Sequence, residues 1–367
     1  LAAYPQRGAW WPVLLVGLAC CGILVARPAC AGDAVPVAMT MPAHITPHAP
    51  SGLMVSIARA GANLVAAGEH GWILISSDNG RTWREAPSPT SVTLTRVMFT
   101  DAADGWALGQ MGVVLQTENG GLTWRKTLDG IAANQIILAA AQADIAARGS
   151  NDVTTNNLQA ATALAGGGPS VPFLDILATS PAHLLLVGGF GLAMQSADDG
   201  RRWTSAAVQL ANPQALHLYG LAKTRGTVYI SGEQGLLLKG PPGGPYNPVT
   251  TPFGGTFFGV LAAPDGVLFV YGLQGTVLRS ADAGATWRAV SGGGSAGVDA
   301  GLLLQDGRLL FGDAAGNLLV GHEDAPALTA MSAGEPIAAL AQASDGAIII
   351  GGPFGLRRVP LSALGAP

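Results

Sequence analysis

"GEHGWILISSDNGRTW", residues 68 to 83, places two tight turns around one short apolar run. The first turn is Gly-x-x-Gly (68 to 71), and the second is an octet of the form Ser-x-Asp-x-Gly-x-Thr-Trp (76 to 83). Both recur. The Gly-x-x-Gly turn returns as "GQMG" (109 to 112), "GGFG" (188 to 191), "GEQG" (232 to 235), "GLQG" (272 to 275), "GDAAG" (312 to 316) and "GPFG" (352 to 355). First-Gly spacings are 41, 79, 44, 40, 40 and 40, a period near 40 with one extra segment of similar length.

Such a period signals a solenoid or a propeller, and the strand pattern chooses between them. The fifth unit reads "FFGVLAAP", "GVLFVYG", "GTVLRSA" and "TWRAVSG", four short apolar or alternating runs parted by Gly, Pro or Asp. Four-stranded units repeated radially make a β-propeller, which leaves only short protected edges. The expected fold is therefore all-β, a seven-bladed β-propeller of four-stranded blades. The last unit lacks a fourth run, and "AVPVAMTM" (34 to 41) is expected to supply it beside "LRRVPL" and so clasp the ring.

Composition narrows the classes. Fifty-two Gly and 24 Pro with 11% charged residues argue for strands and turns over helical bundles. A net charge of −4 provides no basic stripe, so no nucleic acid partner is expected. Residues 1–31 read as a signal peptide: Arg7, the apolar "AWWPVLLVGLACCGILVA", then "ACA" as a cleavage site, with an uncleaved membrane anchor as the competing reading. The propeller then spans 32–367. Cys20, Cys21 and Cys30 all lie in the leader, so neither disulfides nor thiol chemistry is expected in the exported chain, whose charge without Arg7 and Arg27 is −6. The expected location is periplasmic, membrane-associated if the anchor is kept.

The octets read as structural turns. In the first copy Asp78 can accept backbone N–H bonds while Gly80 takes positive φ. Ser76 and Thr82 can tie off the remaining groups, and Trp83 starts the outer strand with its ring between blades. The other copies are Thr117, Asn119, Gly121, Thr123 and Trp124; Ser196, Asp198, Gly200 and Trp203, with Arg202 in the Thr place; and Ser280, Asp282, Gly284, Thr286 and Trp287. This pattern resembles the Asp-box of the bacterial neuraminidase repeat, a peripheral structural turn between third and fourth strands.

No reaction stands out. A sialidase needs three arginines around a carboxylate, with a Tyr–Glu pair and a separate acid. Here Arg81, Arg84, Arg125, Arg201, Arg202, Arg279 and Arg288 cluster in or after the octets, and no Arg is expected at regular inner-strand positions. His44 and His48 lie in a Pro-rich stretch that forbids a helix to align them. No metal, cofactor or enzymatic activity is expected.

Residues 131–165 shift abruptly to Ala, Gln and Asn, the composition of a helical insertion broken at "RGSND", with Ile137, Ala141, Asp144 and Ile145 on one face. It folds on its own blade or serves as a docking arm. Connections from fourth to first strands share a propeller face with the turns between second and third strands. The insertion and the Gly turns should therefore ring one mouth, opposite the octets. Glu69, His70, Gln110, Met111, Phe190, Glu233, Gln234, Gln274 and Phe354 form the mixed rim expected to bind a partner.

Seven such repeats behind an export signal resemble the photosystem II stability/assembly factor family, seven-bladed propellers whose repeat "DGWALGQMGVVLQTENGGLTW" (104 to 124) matches closely. The resemblance covers about residues 50 to 360. It implies a non-enzymatic scaffold, monomeric, that helps a membrane protein complex assemble. The insertion and "GGPSVPFLDI" (167 to 176) look more like the bacterial branch found beside RND-type exporters, which makes such an exporter the expected partner. The rival expectation is a carbohydrate-binding or sialidase-like glycoside-hydrolysing propeller. It requires two or more carboxylates and several aromatics converging in the central mouth.

Overall fold

Each repeat folds as an antiparallel sheet whose strands lie side by side in chain order, with its Gly turn joining the second strand to the third. The structure, a computed structural model, describes residues 35–324 and 327–364. The expected signal peptide and the three cysteines lie outside them. Seven inner strands (Met54–Ala60, Leu94–Phe99, Phe173–Ser180, Leu218–Thr224, Phe257–Ala262, Val298–Leu303 and Ala339–Gln342) pack each on the next, and the seventh returns to the first. That is a closed seven-bladed propeller. Its core lies between blades: Leu94, Val97, Ala107 and Trp124 of blade two close on Val65, Ile73 and Ile75 of blade one.

The expected clasp is corrected. Blade seven has three strands, Ala339–Gln342, Ile348–Gly352 and Gly355–Val359, while Val37–Met39 forms a single 3₁₀ turn over blades one and two. The Ala38 carbonyl accepts from Ser91 N–H at 2.9 Å and Thr90 Oγ1 at 2.8 Å, and Met39 is buried in the blade one–two core. Pro36 and Pro42 bracket that turn and donate no N–H to a ladder, which is why the stretch makes a poor strand. The ring closes through side chains instead. Ala339, Ala341 and Ile349 pack with Ile57, Leu64 and Leu74. At the edge Arg358 Nε donates to the Asn79 carbonyl at 3.0 Å, and Arg81 pairs with Asp345 at 3.0 Å.

That Arg358 contact has equivalents around the ring. Strand three of a blade carries a donor that reaches the third-to-fourth turn of the following blade. Gln116 Nε2 donates to the Asp199 carbonyl at 3.1 Å, Lys239 Nζ to Ala283 at 3.0 Å, and Arg279 Nε to Glu323 at 2.5 Å. Three of the accepting residues, Asn79, Asp199 and Ala283, have φ of 62°, 56° and 56°, so a left-handed turn residue offers its carbonyl to the neighbour.

The octet holds this turn in shape. Gly80 N–H donates to Ser76 Oγ at 2.8 Å, Thr82 N–H to Asp78 Oδ1 at 2.9 Å, and Thr82 Oγ1 to Asp78 Oδ2 at 2.6 Å. Those donors hold the Asp78 carboxyl well below the usual range, with Thr82 the largest influence. In the Ser280–Trp287 copy the same donors take Asp282 down to about 2. Asn119 keeps one acceptor for Thr123 N–H at 3.0 Å and turns its amide to Thr123 Oγ1 at 2.8 Å. Asp198 keeps the bond from Arg202 N–H at 2.8 Å.

The 131–165 insertion forms a helical hairpin, α1 (Gly130–Arg148) and α2 (Asp152–Gly166), broken at Gly149–Asn151. Asp129 caps α1, and Asn151 with Thr154 builds a capping box on α2. Ala133, Ile137 and Ala141 bury into the core of blades two and three beside Trp106 and Trp203. Asn134 Nδ2 ties α1 to the end of α2 through the Leu164 and Gly168 carbonyls. The hairpin is folded onto its own blades. Ile137 and Ala141 share the buried face as expected, whereas Asp144 and Ile145 are only partly covered.

A candidate docking face and channel mouth

Five of the seven Gly turns share one geometry. His70, Met111, Phe190, Gln234 and Gln274 sit at φ 55°, 57°, 52°, 54° and 60°, each followed by a Gly at positive φ. Two left-handed residues in succession make the type I′ turn that matches strand twist. An L side chain in the first of these places is strained, and such strain gathers where a surface has work to do. Phe190 (58% exposed) and Phe354 (67%) stand out into solvent, as do His70, Gln110, Gln234 and Gln274. Met111 is half covered by the start of α1, where a Cβ added to Gly130 would lie 2.7 Å from the Met111 carbonyl. Glu69 and Glu233 are partly committed to the fold: they accept the Leu53 and His217 backbone N–H groups, each at 2.8 Å.

In most of the turns the first Gly does something the sequence did not reveal. A Cβ on Gly68, Gly188, Gly232 or Gly272 would lie 1.9, 2.2, 2.6 or 2.1 Å from the carbonyl just ahead of the inner strand. That carbonyl accepts the next N–H of the turn, as Leu273 N–H bonds to the Thr256 carbonyl at 3.0 Å. The close approach accompanies a β-bulge at the second residue of the inner strand, seen as register breaks at Met54/Ser56, Leu94/Arg96, Leu218/Gly220, Phe257/Gly259 and Val298/Ala300. In blade three the break falls opposite Leu174. The bulged residues Val55, Thr95, Leu174, Tyr219, Phe258 and Asp299, with Ala338 of blade seven, all line the mouth of the central channel.

Blades four to six supply the polar part of that ring. Tyr219 and Phe258 meet edge to face with centroids 5.7 Å apart. His217 lies 6.2 Å from Tyr219 and 4.5 Å from Phe190, so rings run without a gap from the outer turn to the channel. On its other side Phe190 borders an apolar groove with Ile137, Ala141, Ala161 and Pro213, next to the exposed Val208. Asp299 is pushed up to about 6 by burial in the channel, reinforced by Asp313. Tyr271 lies across Gly259 and Gly301 and is pushed up to about 12 by burial.

Deeper in the channel, Arg96 pairs with Asp175 at 2.9 Å, which corrects the expectation that no arginine sits on an inner strand. Ile176 and Leu221 N–H groups also donate to Asp175, at 2.9 and 2.7 Å. Burial pushes the Asp175 pKa upward, and Arg96 with these N–H donors opposes that rise. Two carboxylates and three aromatics thus line the channel, the set that the glycan-active rival requires. Asp175 is committed to the fold, however, leaving Asp299 alone where glycoside hydrolysis uses a carboxyl pair. Among the described residues no cluster of three His, Cys, Asp or Glu side chains has metal-holding spacing.

The family model "Photosynthesis system II assembly factor YCF48" matches residues 43–118. A curated relative, the chloroplastic photosystem II stability/assembly factor HCF136 of Cyanidioschyzon merolae, is 39% identical over 74 residues, 20% of this chain and 16% of that protein's length. Among solved structures, "YCF48 bound to D1 peptide" superposes with a TM-score of 0.61 at 16% identity, covering 84% of this chain and 94% of that one. YCF48 from Cyanidioschyzon merolae gives 0.59 at 13%, covering 86% and 96%. The WD40 propeller of Doa1 gives 0.56 at 10%, covering 87% and 95%. The chain is thus similar in sequence to photosystem II assembly factors across blade one and most of blade two, and it shares their propeller fold around the ring.

Proposed function

We propose that this chain is an exported, non-enzymatic scaffold that grips a membrane protein partner on its Gly-turn face. One observation carries the reading: the unbroken track of rings and apolar side chains from the hairpin groove through Phe190, His217 and Tyr219 to Phe258. Contiguous exposed aromatic surface beside polar groups is the make-up of a protein contact. A propeller of the same fold carrying a D1 peptide supports this use of the ring. The partner we favour is a subunit of an RND-type exporter, on the strength of the insertion and the "GGPSVPFLDI" stretch.

Deleting the whole hairpin is a poor test, because it would uncover the core of blades two and three. A photo-crosslinking residue at position 190, compared with one at Arg201 on the octet side, keeps the ring intact. Irradiation in native membranes should give an adduct with one membrane protein from position 190 and none from position 201. Equal labelling from both positions would defeat the docking face.

A further inference from the structure

The ring of bulged residues holds one charge, and that charge has no partner among the described residues. Asp299 makes no hydrogen bond or ion pair with any described residue. The charged group that bears on it is another carboxylate, Asp313, itself tied to Ala315 N–H, Asn317 N–H and Asn317 Nδ2. The cations lining the same channel are engaged elsewhere: Arg96 with Asp175, and Lys223 with the Thr179 carbonyl.

Aromatic rings surround this unanswered charge. A methyl placed on Gly297 would lie 3.4 Å from Phe258 Cε2 and 3.7 Å from Asp299 Oδ1, so the ring edge and the carboxylate flank the same spot. Tyr219 closes the corner against Phe258. Glu233 stands near enough to Tyr219 to push its phenol upward, after burial, adding negative potential at the rim. A carboxylate beside aromatic rings in a partly desolvated recess is complementary to an organic cation. Charge attraction to Asp299 strengthens as water is excluded, and the ring edges give the hydrocarbon stem of such a cation an apolar wall. The channel volume, about 310 Å³, suits a side-chain-sized group.

We propose that the channel mouth is a binding site for a primary ammonium or guanidinium group, held by Asp299 against Phe258 and Tyr219. The group can come from a free alkylamine or from a Lys or Arg side chain of a polypeptide. The site does not depend on the partner proposed above.

Titration calorimetry on the full chain tests this with butylammonium, butylguanidinium and the tripeptide acetyl-Gly-Arg-Gly-amide, each beside an uncharged counterpart (butanol, or the citrulline tripeptide). The cations should saturate one site and the uncharged compounds should not. Asp299→Asn should weaken binding about tenfold or more, and Phe258→Ala severalfold. Because Asp299 titrates near 6, affinity should also fall between about pH 7 and about pH 5. Asp313, Tyr271, the Arg96–Asp175 pair and, at the rim, His217 with Glu233 are the other titratable or charged groups around the site. The Asp299→Asn chain separates their share of the pH effect. Binding of the tripeptide alone would assign the site to a partner's side chain, and binding of all three cations to the charged group itself. No saturable binding, or binding untouched by Asp299→Asn, would overturn the proposal. Asp299 accepts no hydrogen bond from any described residue, so the Asn variant should keep its fold, and circular dichroism checks that directly.

Discussion

Replacing Gly272 by Ala tests whether the first Gly of such a turn exists to admit a backbone carbonyl. Gly272 has φ 175°, an extended value open to any residue, so the substitution brings no backbone strain of its own. The added methyl would sit 2.1 Å from the Thr256 carbonyl and 2.8 Å from Phe257 Cα. Carbon and oxygen approach to about 3.3 Å, so the two strands must part by roughly an ångström. Parting them lengthens the Leu273 N–H to Thr256 bond, now 3.0 Å, and flattens the bulge that carries Phe258. Overpacking of this kind costs about 1–3 kcal/mol, and the weakened hydrogen bond adds about 1 kcal/mol, for a total of about 2–4 kcal/mol. Gly254 provides the control: it lies in an adjoining loop, and nothing comes within 4 Å of its added Cβ. Gly254→Ala should stay within about 0.5 kcal/mol of the parent. Urea unfolding followed by tryptophan fluorescence measures both. If Gly272→Ala proves as stable as Gly254→Ala, the close-approach argument fails for this turn and, with it, for Gly68, Gly188 and Gly232.

Three further outcomes are expected. Gln274→Gly removes an L side chain from φ 60° where it makes no recorded bond, and should raise stability by about 0.5–1 kcal/mol once the extra freedom of Gly in the unfolded chain is counted; a loss would mean the strained turn residue is held by contacts. Arg358→Ala removes the bonds to the Asn79 carbonyl and Asp345, and should cost about 1–3 kcal/mol. Hydrogen exchange should then quicken first where blade seven meets blade one, and uniform quickening round the ring would contradict the seam. The raised pKa of Asp299, about 6 against 3.8, means the folded chain binds more protons than the unfolded chain between those values. Stability from this group is complete below about pH 4 and lost as pH climbs past 6, so urea midpoints of the parent should fall relative to Asp299→Asn across that interval. Parallel curves would refute it.

The propeller was legible because its two turn motifs are local: each needs particular residues within four to eight positions, so both repeat visibly. Blade seven was misread because the clasp was inferred from a count of strands, while Pro36 and Pro42 were already set against a ladder. The hairpin's existence, break and buried face followed from composition and spacing. Its docking onto blades two and three did not, because Trp106 and Trp203 lie far away along the chain. The channel mouth was hidden for a similar reason. Tyr219, Phe258 and Asp299 come from three different blades, at bulges that no periodicity marks, and a single Arg96 among other strand residues carries no signal of its ion pair. The rim residues sit in the Gly turns where their motif puts them, yet Glu69 and Glu233 looked free in sequence because the backbone N–H groups they satisfy lie sixteen residues upstream.

The donors on strand three give the ring a direction. Three of the four octets, those holding Asn79, Asp199 and Ala283, are knotted within their own blades while the carbonyl each presents is consumed by the blade before it. A lesion in the knot of Ser280, Asp282 and Thr286 should therefore loosen the wall it shares with Tyr229 and Lys239, and leave the following wall largely undisturbed. The same one-way lean holds at the seam, where the Asn79 carbonyl of blade one serves Arg358 of blade seven, so a loosened first knot would weaken the last blade.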